Sequence, residues 1–195
     1  MYKLFLFDLD GILRRALKFI DIFKELYGLP YEKTIPYIND HVIRCIETGE
    51  SLLEPTEKLI EENGLPDEPK VFFHKWFSCK SDINWDLLAH IKIKKDVCVL
   101  ATNQPLERWE FLLKEMQLED HFSKMYSSNL MQTAKPNPEY FKRIITDFSN
   151  VKPEEMIFFD DRQENIDSAK SCGIEAVLCL DYSLVNHTVL KYLNQ

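Results

Sequence analysis

The sequence lacks the features that several classes of protein require. Its 195 residues carry a net charge of −8, whereas affinity for the phosphate backbone of a nucleic acid needs clustered Lys and Arg. No stretch approaches the roughly 18 apolar residues of a membrane span. Met1 leads into an apolar run without the basic and long apolar regions of a signal peptide. We therefore expect no nucleic-acid partner, no membrane partner and a cytoplasmic location.

Cysteine and histidine are present, but without the spacings that bind metals. The five cysteines are odd in number, include no CxxC pair and mostly stand among apolar residues, which predicts reduced core thiols. The five histidines show no metal-ligand spacing. Neither a zinc site nor a redox centre is therefore expected. No internal repeat or low-complexity linker is found, and the length allows one large domain or one domain with an insert.

The first pattern that points to chemistry is KLFLFDLDG at residues 3–11. An apolar run that ends in polar residues and glycine predicts a buried strand, because it is too short for a helix and lacks the 3.6-residue period. Asp8 and Asp10 follow that strand, at the position where α/β sheets place their ligand sites. From this stretch alone, an acidic turn without chemistry is an equally good interpretation.

A long helical segment is predicted after the first strand. Apolar residues at helical spacing predict helices over residues 14–27 and 31–48, the second with Pro36 near its start or at a kink. Two more helices are expected before residue 80, and no strand-like alternation interrupts them. The sequence therefore predicts an all-helical insert over residues 14–85, which we call the cap.

The remaining chain, residues 1–13 and 86–195, alternates between strands and helices. Such alternation calls for a parallel sheet with right-handed crossovers. The predicted fold class is therefore α/β, a doubly wound, Rossmann-like parallel sheet that forms the core, with the cap inserted after its first strand. The later strands are predicted at residues 97–101, 124–128, 156–159 and 176–180, and the helices at residues 86–93, from Pro105, from Pro138 and at 165–172.

Polar side chains stand at the ends of several of these predicted elements. Asp8 and Asp10 follow the first strand, Thr102 and Asn103 the second, and Asp160 and Asp161 the fourth, while Lys135 precedes a helix. Taken singly, the lysine would be solvated, the threonine would cap a strand end and the last two aspartates would form a surface turn. The carboxyl ends of parallel strands share one edge of a sheet, so their coincidence instead predicts one site.

With these residues the chain resembles the haloacid-dehalogenase superfamily, chiefly its phosphatases. The matching motifs are DLDG at 8–11, the apolar run before Thr102 and Asn103, KPNPEYF at 135–141 and FFDDRQENIDSAKSCG at 158–173. They agree in order and spacing over nearly the whole chain apart from the cap. The resemblance implies a Mg²⁺-dependent phosphatase that acts on a small phosphorylated metabolite, such as a sugar phosphate.

Phosphate chemistry explains why these residue types are needed. Phosphoryl oxygens repel an anionic nucleophile, so the site must supply positive charge, and a donor set made of oxygens favours Mg²⁺. Lys135 adds a fixed cation beside Asp8 and the phosphate, and Thr102 with Asn103 would bind phosphoryl oxygens. The expected metal ligands are Asp8 and Asp161 directly, Asp10 through its carbonyl as the resemblance implies, and Asp160 through water.

The two aspartates of the first motif receive different roles. Asp8 would attack phosphorus and form an aspartyl-phosphate intermediate, which splits one hard step into two. Asp10 would protonate the leaving alkoxide and then deprotonate the water that hydrolyses the intermediate. Gly11 helps to provide the turn that directs Asp10 away from Asp8.

Other functions stay open at this point. A mutase or phosphotransferase would return the phosphoryl group to a sugar, and a silent binding module would keep only the fold. Family dehalogenases generally lack the second acid and the metal, so Asp10 and the Asp160–Asp161 pair favour phosphate chemistry over carbon–halogen cleavage.

The cap is expected to set specificity, because a cap over the site excludes water and selects the leaving group. Its candidate residues are Arg14, Arg15, Arg44 and Trp76, although such residues more often belong to an ordinary surface or core. The protein is expected to be a monomer or a homodimer.

Overall fold

A parallel sheet of five strands forms the centre of the protein. The structure, a computed structural model, describes residues 1–15, 19–79 and 81–195. The first strand lies in the middle of the sheet, because it pairs in parallel with a neighbour on each side. The strands are β1 (Leu4–Phe7), β2 (Arg14–Arg15), β3 (Asp82–Ile83), β4 (Cys98–Thr102), β5 (Lys124–Ser127), β6 (Met156–Asp160) and β7 (Glu175–Leu178), and the sheet runs in the order β5-β4-β1-β6-β7.

Helices cover both faces of this sheet, which confirms the predicted doubly wound α/β fold. The helices are α1 (Phe19–Tyr27), α2 (Tyr31–Tyr37), α3 (Ile43–Thr48), α4 (Leu53–Asn63), α5 (Pro69–Ser78), α6 (Trp85–Ile93), α7 (Leu106–Glu115), α8 (Ser128–Met131), α9 (Pro138–Asp147), α10 (Gln163–Ser171) and α11 (Val185–Leu193). Side chains alternate along β1, so Phe5 and Phe7 pack with α6, α7 and α11, whereas Leu4 and Leu6 pack with α9 and α10. None of the helices in the described ranges has both the length and the hydropathy that a membrane crossing requires.

The cap has an apolar core of its own, built from α1 to α5. Trp76 lies at its centre and is 1% exposed. Its indole ring contacts a set of aromatic rings from α1, α2 and α5, which are those of Phe19, Phe23, Tyr37, Phe72, Phe73 and Phe77. The helices α1 to α5 are as predicted, but residues 14–15 and 82–83 form strands inside the segment that was predicted to be all helical. The boundaries of the cap at residues 14 and 85 stay a prediction.

The helix predicted from Arg14 is wrong at its beginning. Arg14 and Arg15 form β2, which pairs in antiparallel register with β3, and the first described helix begins at Phe19, after residues 16–18, which lie outside the described residues. The chain leaves and re-enters the core at neighbouring points, so the two crossing segments can satisfy each other's backbone groups. Helical spacing along one segment could not reveal this pairing.

The helix predicted over residues 31–48 is found over its whole length, with one irregular turn inside it. Pro36 lies inside α2, and the turn after it, residues 38–42, is a wider π-helical turn before α3 begins. Proline removes a backbone donor and crowds the preceding turn, which is a common cause of such an irregularity. The irregular turn therefore lies directly after the turn that contains Pro36, and a kink there stays a prediction.

The cap touches the core through backbone as well as side chains. Gly49 ends α3 with a φ of +76°, and a Cβ built there would lie 2.3 Å from the carbonyl oxygen of Asn129 in α8. No side chain fits at that distance, so glycine allows this close approach.

Two predicted site residues belong to strands and do not follow them. Thr102 is the last residue of β4 and Asp160 the last residue of β6. Both are fully buried. Each is paired with a residue of the neighbouring strand, at the edge of the sheet where Asp8 follows β1.

We predict that Trp76→Ala destabilises the protein by about 3–5 kcal/mol, because it removes the centre of the aromatic core of the cap. Urea unfolding monitored by circular dichroism measures the change. Trp85→Ala is the matched control, since Trp85 is 53% exposed and its loss should cost about 0.5 kcal/mol or less. Equal losses for the two variants would contradict the central role of Trp76.

Candidate active site

The predicted site residues meet at one edge of the sheet. β4 and β6 flank β1, and Asp8 follows β1 with its backbone N–H bonded to the Phe159 carbonyl at 2.9 Å. A cavity of about 380 Å³ opens over this edge, between the core and the cap. Its lining includes the core residues Asp8, Asp10, Asn103, Arg108, Lys135 and Asp161, together with cap residues from α1 and α3.

Three carboxylates form a cluster at the base of this cavity. One oxygen from each of Asp8, Asp160 and Asp161 lies within 4.8 Å of the others. Gly11 makes room for the cluster, because a Cβ at this position would lie 2.4 Å from the carboxylate of Asp161, and its φ is +85°. Oxygen donors at this spacing fit a hard divalent cation such as Mg²⁺.

Lys135 connects two members of the carboxylate cluster. Its Nζ lies 2.9 Å from Asp8 Oδ1 and 2.7 Å from Asp160 Oδ2, and it donates to the Ala101 carbonyl at 2.8 Å. The side chain is nearly fully buried. An ammonium group has three donors, and all three are used here. The interpretation of Lys135 as a solvated surface lysine is therefore wrong.

Asn103 fixes the backbone of Lys135. Its Nδ2 donates to the Lys135 carbonyl at 2.7 Å, and its Oδ1 accepts from the Lys135 N–H at 3.0 Å. The Asn103 side chain therefore acts on the loop that carries the lysine. Its predicted contact with phosphate stays a prediction, as does that of Thr102. The Thr102 hydroxyl is buried and accepts from Gln104 Nε2 at 3.0 Å.

Asp160 is held by protein groups on both of its oxygens. In addition to Lys135, it accepts from the Arg162 N–H at 2.8 Å and from Asn165 Nδ2 at 3.0 Å. It is absent from the described lining of the cavity, whereas Asp161 faces it. Asp8 and Asp161 are therefore the more open oxygen donors, and the expected binding of Asp160 to the metal through water stays a prediction.

The charges of the cluster are not balanced by Lys135 alone. Burial raises the pKa of Asp8 to about 7. The negative charge of Asp160 adds to this rise, and the positive charge of Lys135 opposes it. Burial also raises the pKa of Asp161, and Asp160 adds to the rise. Burial alone would lower the pKa of Lys135. The negative charges of Asp160 and Asp8 outweigh this effect and raise the pKa above its usual value. Three carboxylates thus share one ammonium group within the described part of the site, a surplus that a divalent cation would balance.

The Asp10 carboxylate lies outside the cluster, in an ion pair that was not predicted. Arg108 Nη1 donates to its Oδ2 at 2.6 Å and Nη2 to its Oδ1 at 2.7 Å, and Gln104 Nε2 donates to Oδ2 at 3.0 Å. Burial alone would raise the pKa of Asp10, but Arg108 outweighs it and lowers the pKa to about 2. One signal was available in the sequence: Arg108 stands one turn before Leu112, on the apolar face of the predicted helix.

The cap residues that face the cavity differ from the four candidates. Phe19, Ile43, Ile46 and Glu47 line it. In the described structure Arg14 and Trp76 are buried, and Arg44 is exposed and lies 3.0 Å from Glu50. Arg15 borders a separate surface depression. The pattern of Ile43, Ile46 and Glu47, at positions i, i+3 and i+4, was the available signal for one helix face.

Comparisons with known proteins show that the chain is similar to phosphatases. The chain is 26% identical, over 92% of its length and 85% of the relative's, to a phosphorylated carbohydrates phosphatase of Thermotoga maritima. It is 25% identical, over 90% of its length and 79% of the relative's, to a glyceraldehyde 3-phosphate phosphatase of Pyrococcus furiosus.

A solved structure and a family profile extend these similarities. A HAD-family enzyme of Bacteroides thetaiotaomicron, in complex with magnesium and inorganic phosphate, superposes with a TM-score of 0.75 at 26% identity, covering 91% of this chain and 94% of that one. The profile of the haloacid dehalogenase-like hydrolases matches residues 5–179, which include the carboxylate cluster and Lys135. The chain therefore belongs to the haloacid dehalogenase-like hydrolase family.

Proposed function

We propose that the protein is a Mg²⁺-dependent phosphatase that hydrolyses a small phosphorylated metabolite through an aspartyl-phosphate on Asp8. The observation that carries this proposal is the buried ammonium group of Lys135 between Asp8 and Asp160, with Asp161 completing the carboxylate cluster. The phosphatases among the relatives support the reaction class. The complex of the Bacteroides enzyme with magnesium and phosphate supports the choice of metal.

The metal ligands proposed are Asp8, Asp161 and the carbonyl of Asp10. Mg²⁺ bound there would neutralise charge on the phosphoryl oxygens as the nucleophile approaches. Asp160 is proposed to orient Lys135. Its own oxygens accept hydrogen bonds from Lys135, Arg162 and Asn165, which fix the position of its carboxylate.

Asp8 is the proposed nucleophile because it is both oriented and open to the cavity. Lys135 holds one of its oxygens at 2.9 Å, and the residue lines the cavity floor. Formation of an acyl phosphate on Asp8 divides the displacement into two steps. Asp10, at the cavity wall, is proposed to protonate the leaving oxygen and then to deprotonate the attacking water.

The substrate proposed is a sugar phosphate or a similar small metabolite. The phosphate would lie between Lys135 and the metal site, and the leaving group would contact Phe19, Ile43, Ile46 and Glu47 of the cap. A cavity of about 380 Å³ suits a short carbon chain. Both relatives described above are named for phosphorylated carbohydrates or triose phosphates.

We predict that the purified protein releases phosphate from a panel of sugar phosphates, phospho-acids and nucleotides, and from an aryl phosphate. EDTA should abolish the activity, and Asp8→Asn should lower kcat by at least about 1,000-fold, because the variant lacks the anionic nucleophile. Phosphate release measured with and without added Mg²⁺ tests both statements. Asp120→Asn is the control, since that exposed side chain pairs with Lys92 and neither residue lines the cavity.

The same assay separates the proposed phosphatase from the other functions. Robust turnover by Asp8→Asn would contradict the aspartyl-phosphate mechanism. Isomerised sugar phosphate in excess of free phosphate would indicate a mutase. Bound Mg²⁺ without turnover across the whole panel would indicate a binding module.

We predict that Gly11→Ala weakens the metal site. A Cβ at this position overlaps the Asp161 carboxylate, so the Mg²⁺ concentration for half-maximal activity should rise by about tenfold or more. Gly28→Ala is a matched control: Gly28 also has a positive φ of +64°, but nothing lies within 4 Å of its Cβ position. That control should lose about 1 kcal/mol of stability and keep its Mg²⁺ dependence. An identical Mg²⁺ shift in both variants would contradict the role of Gly11.

A further inference from the structure

We propose that Glu47 of α3 is a specificity-determining residue, which selects an ester whose leaving group is a neutral polyol and rejects one that carries a second negative charge. The proposal rests on the proposed function and concerns the part of the substrate that lies beyond the phosphate. Glu47 would contact the leaving group and would take no part in the transfer of the phosphoryl group.

Glu47 differs in kind from the cap residues around it. The described cap residues of the cavity lining are Phe19, Ile43, Ile46 and Glu47. Three of these side chains are apolar and offer no hydrogen-bonding group. Within the described cap lining, the Glu47 carboxylate is therefore the one side chain that can accept a hydrogen bond from the distal end of a substrate.

The Glu47 carboxylate is not engaged by the protein. Among the described residues it has neither a hydrogen-bond partner nor an ion-pair partner. Arg44 stands one turn earlier, at a spacing that allows an ion pair along a helix, but its guanidinium lies 3.0 Å from the Glu50 carboxylate instead. Since Glu47 is also exposed, a ligand can contact its charge without breaking an existing interaction.

The cations of the described cavity lining, in contrast, are all paired. Lys135 is held within the carboxylate cluster. Arg108 donates to both oxygens of Asp10, and Arg162 Nε donates to the Glu164 carboxylate at 2.7 Å. The described lining thus offers no unpaired cation to a distal carboxylate or to a second phosphate.

This distribution of charge acts in opposite directions on two kinds of leaving group. A hydroxyl group donates to a carboxylate, and a hydrogen bond to a charged acceptor is stronger than one between neutral groups. A carboxylate or a second phosphate beside Glu47 would be repelled, because bringing like charges together is unfavourable. Attraction of one class and repulsion of the other both contribute to specificity. The substrate class inferred is therefore a phosphate monoester of a neutral polyol.

Two matched pairs of substrates test this inference. Glycerol 3-phosphate is compared with 3-phosphoglycerate, and glucitol 6-phosphate with 6-phosphogluconate. Within each pair the chain is the same, and the distal carbon is a CH₂OH group in the polyol ester and a carboxylate in the acid ester. The quantity measured is the ratio of kcat/KM for the polyol ester to kcat/KM for the acid ester, from phosphate release at neutral pH with Mg²⁺. Because both substrates meet the same enzyme sample, a loss of folded protein does not change this ratio.

We predict that the wild type favours the polyol ester by at least about tenfold in one pair or in both. Glu47→Gln keeps an oxygen acceptor but removes the charge, so the ratio should fall by about fivefold, mainly through faster hydrolysis of the acid ester. Glu47→Lys should reverse the preference, because its ammonium group would attract the distal carboxylate.

Glu57→Lys is the matched control. Glu57 is exposed on α4 and does not belong to the described cavity lining. This variant makes the same change in net charge as Glu47→Lys, but screening by salt limits its effect at a distance, so the ratio should stay within about twofold of the wild-type value.

Several outcomes would overturn the proposal. These are a wild type that favours the acid esters, a ratio that is unchanged in either Glu47 variant, and an equal change of the ratio in Glu57→Lys. If the wild type hydrolyses p-nitrophenyl phosphate but neither pair, or hydrolyses both members of each pair equally, only this proposal fails. Absence of phosphate release from every ester would overturn the proposed function itself.

Discussion

The active site depends on one buried ammonium group. Lys135 contacts carboxylates that leave two adjacent strands, and it also donates to the carbonyl of Ala101 in β4. Carboxylates brought out of water without a cation would repel each other and favour their protonated forms. Asn103 bonds both backbone groups of the lysine, so the loop that carries it cannot shift without breaking contacts to the sheet. A single side chain therefore holds the ends of β1, β4 and β6 in one arrangement.

Helix α7 links the two parts of the molecule that a substrate would contact. Its first turn carries Glu107, which accepts from the cap, and Arg108, which donates to Asp10 in the core. Adjacent residues of one helical turn thus contact the cap and the Asp10 carboxylate.

Much of this arrangement was accessible from the sequence, because it is encoded locally. β1 and β6 are apolar runs, and Asp8, Asp160 and Asp161 stand where these runs end. Parallel strands bring those ends together, so the cluster follows from order alone. Lys135 could be placed near them only through its motif.

Contacts between distant segments were not accessible in the same way. Arg108 meets Asp10 across 98 positions of sequence, and Arg14 pairs with Ile83 from the far end of the cap. Local periodicity carries no information about such partners. The cap residues that face the cavity were missed because charge drew attention to Arg44, while Ile43, Ile46 and Glu47 on the same helix line the site.

The contact between Gly49 and Asn129 determines how closely the cap approaches the core at the end of α3. Backbone meets backbone there, with no side chain to compress. Any larger residue at position 49 would push the end of α3 away from Asn129. Ile43, Ile46 and Glu47 of α3 line the cavity, so this one glycine connects the packing of the cap on the core with the shape of the cavity.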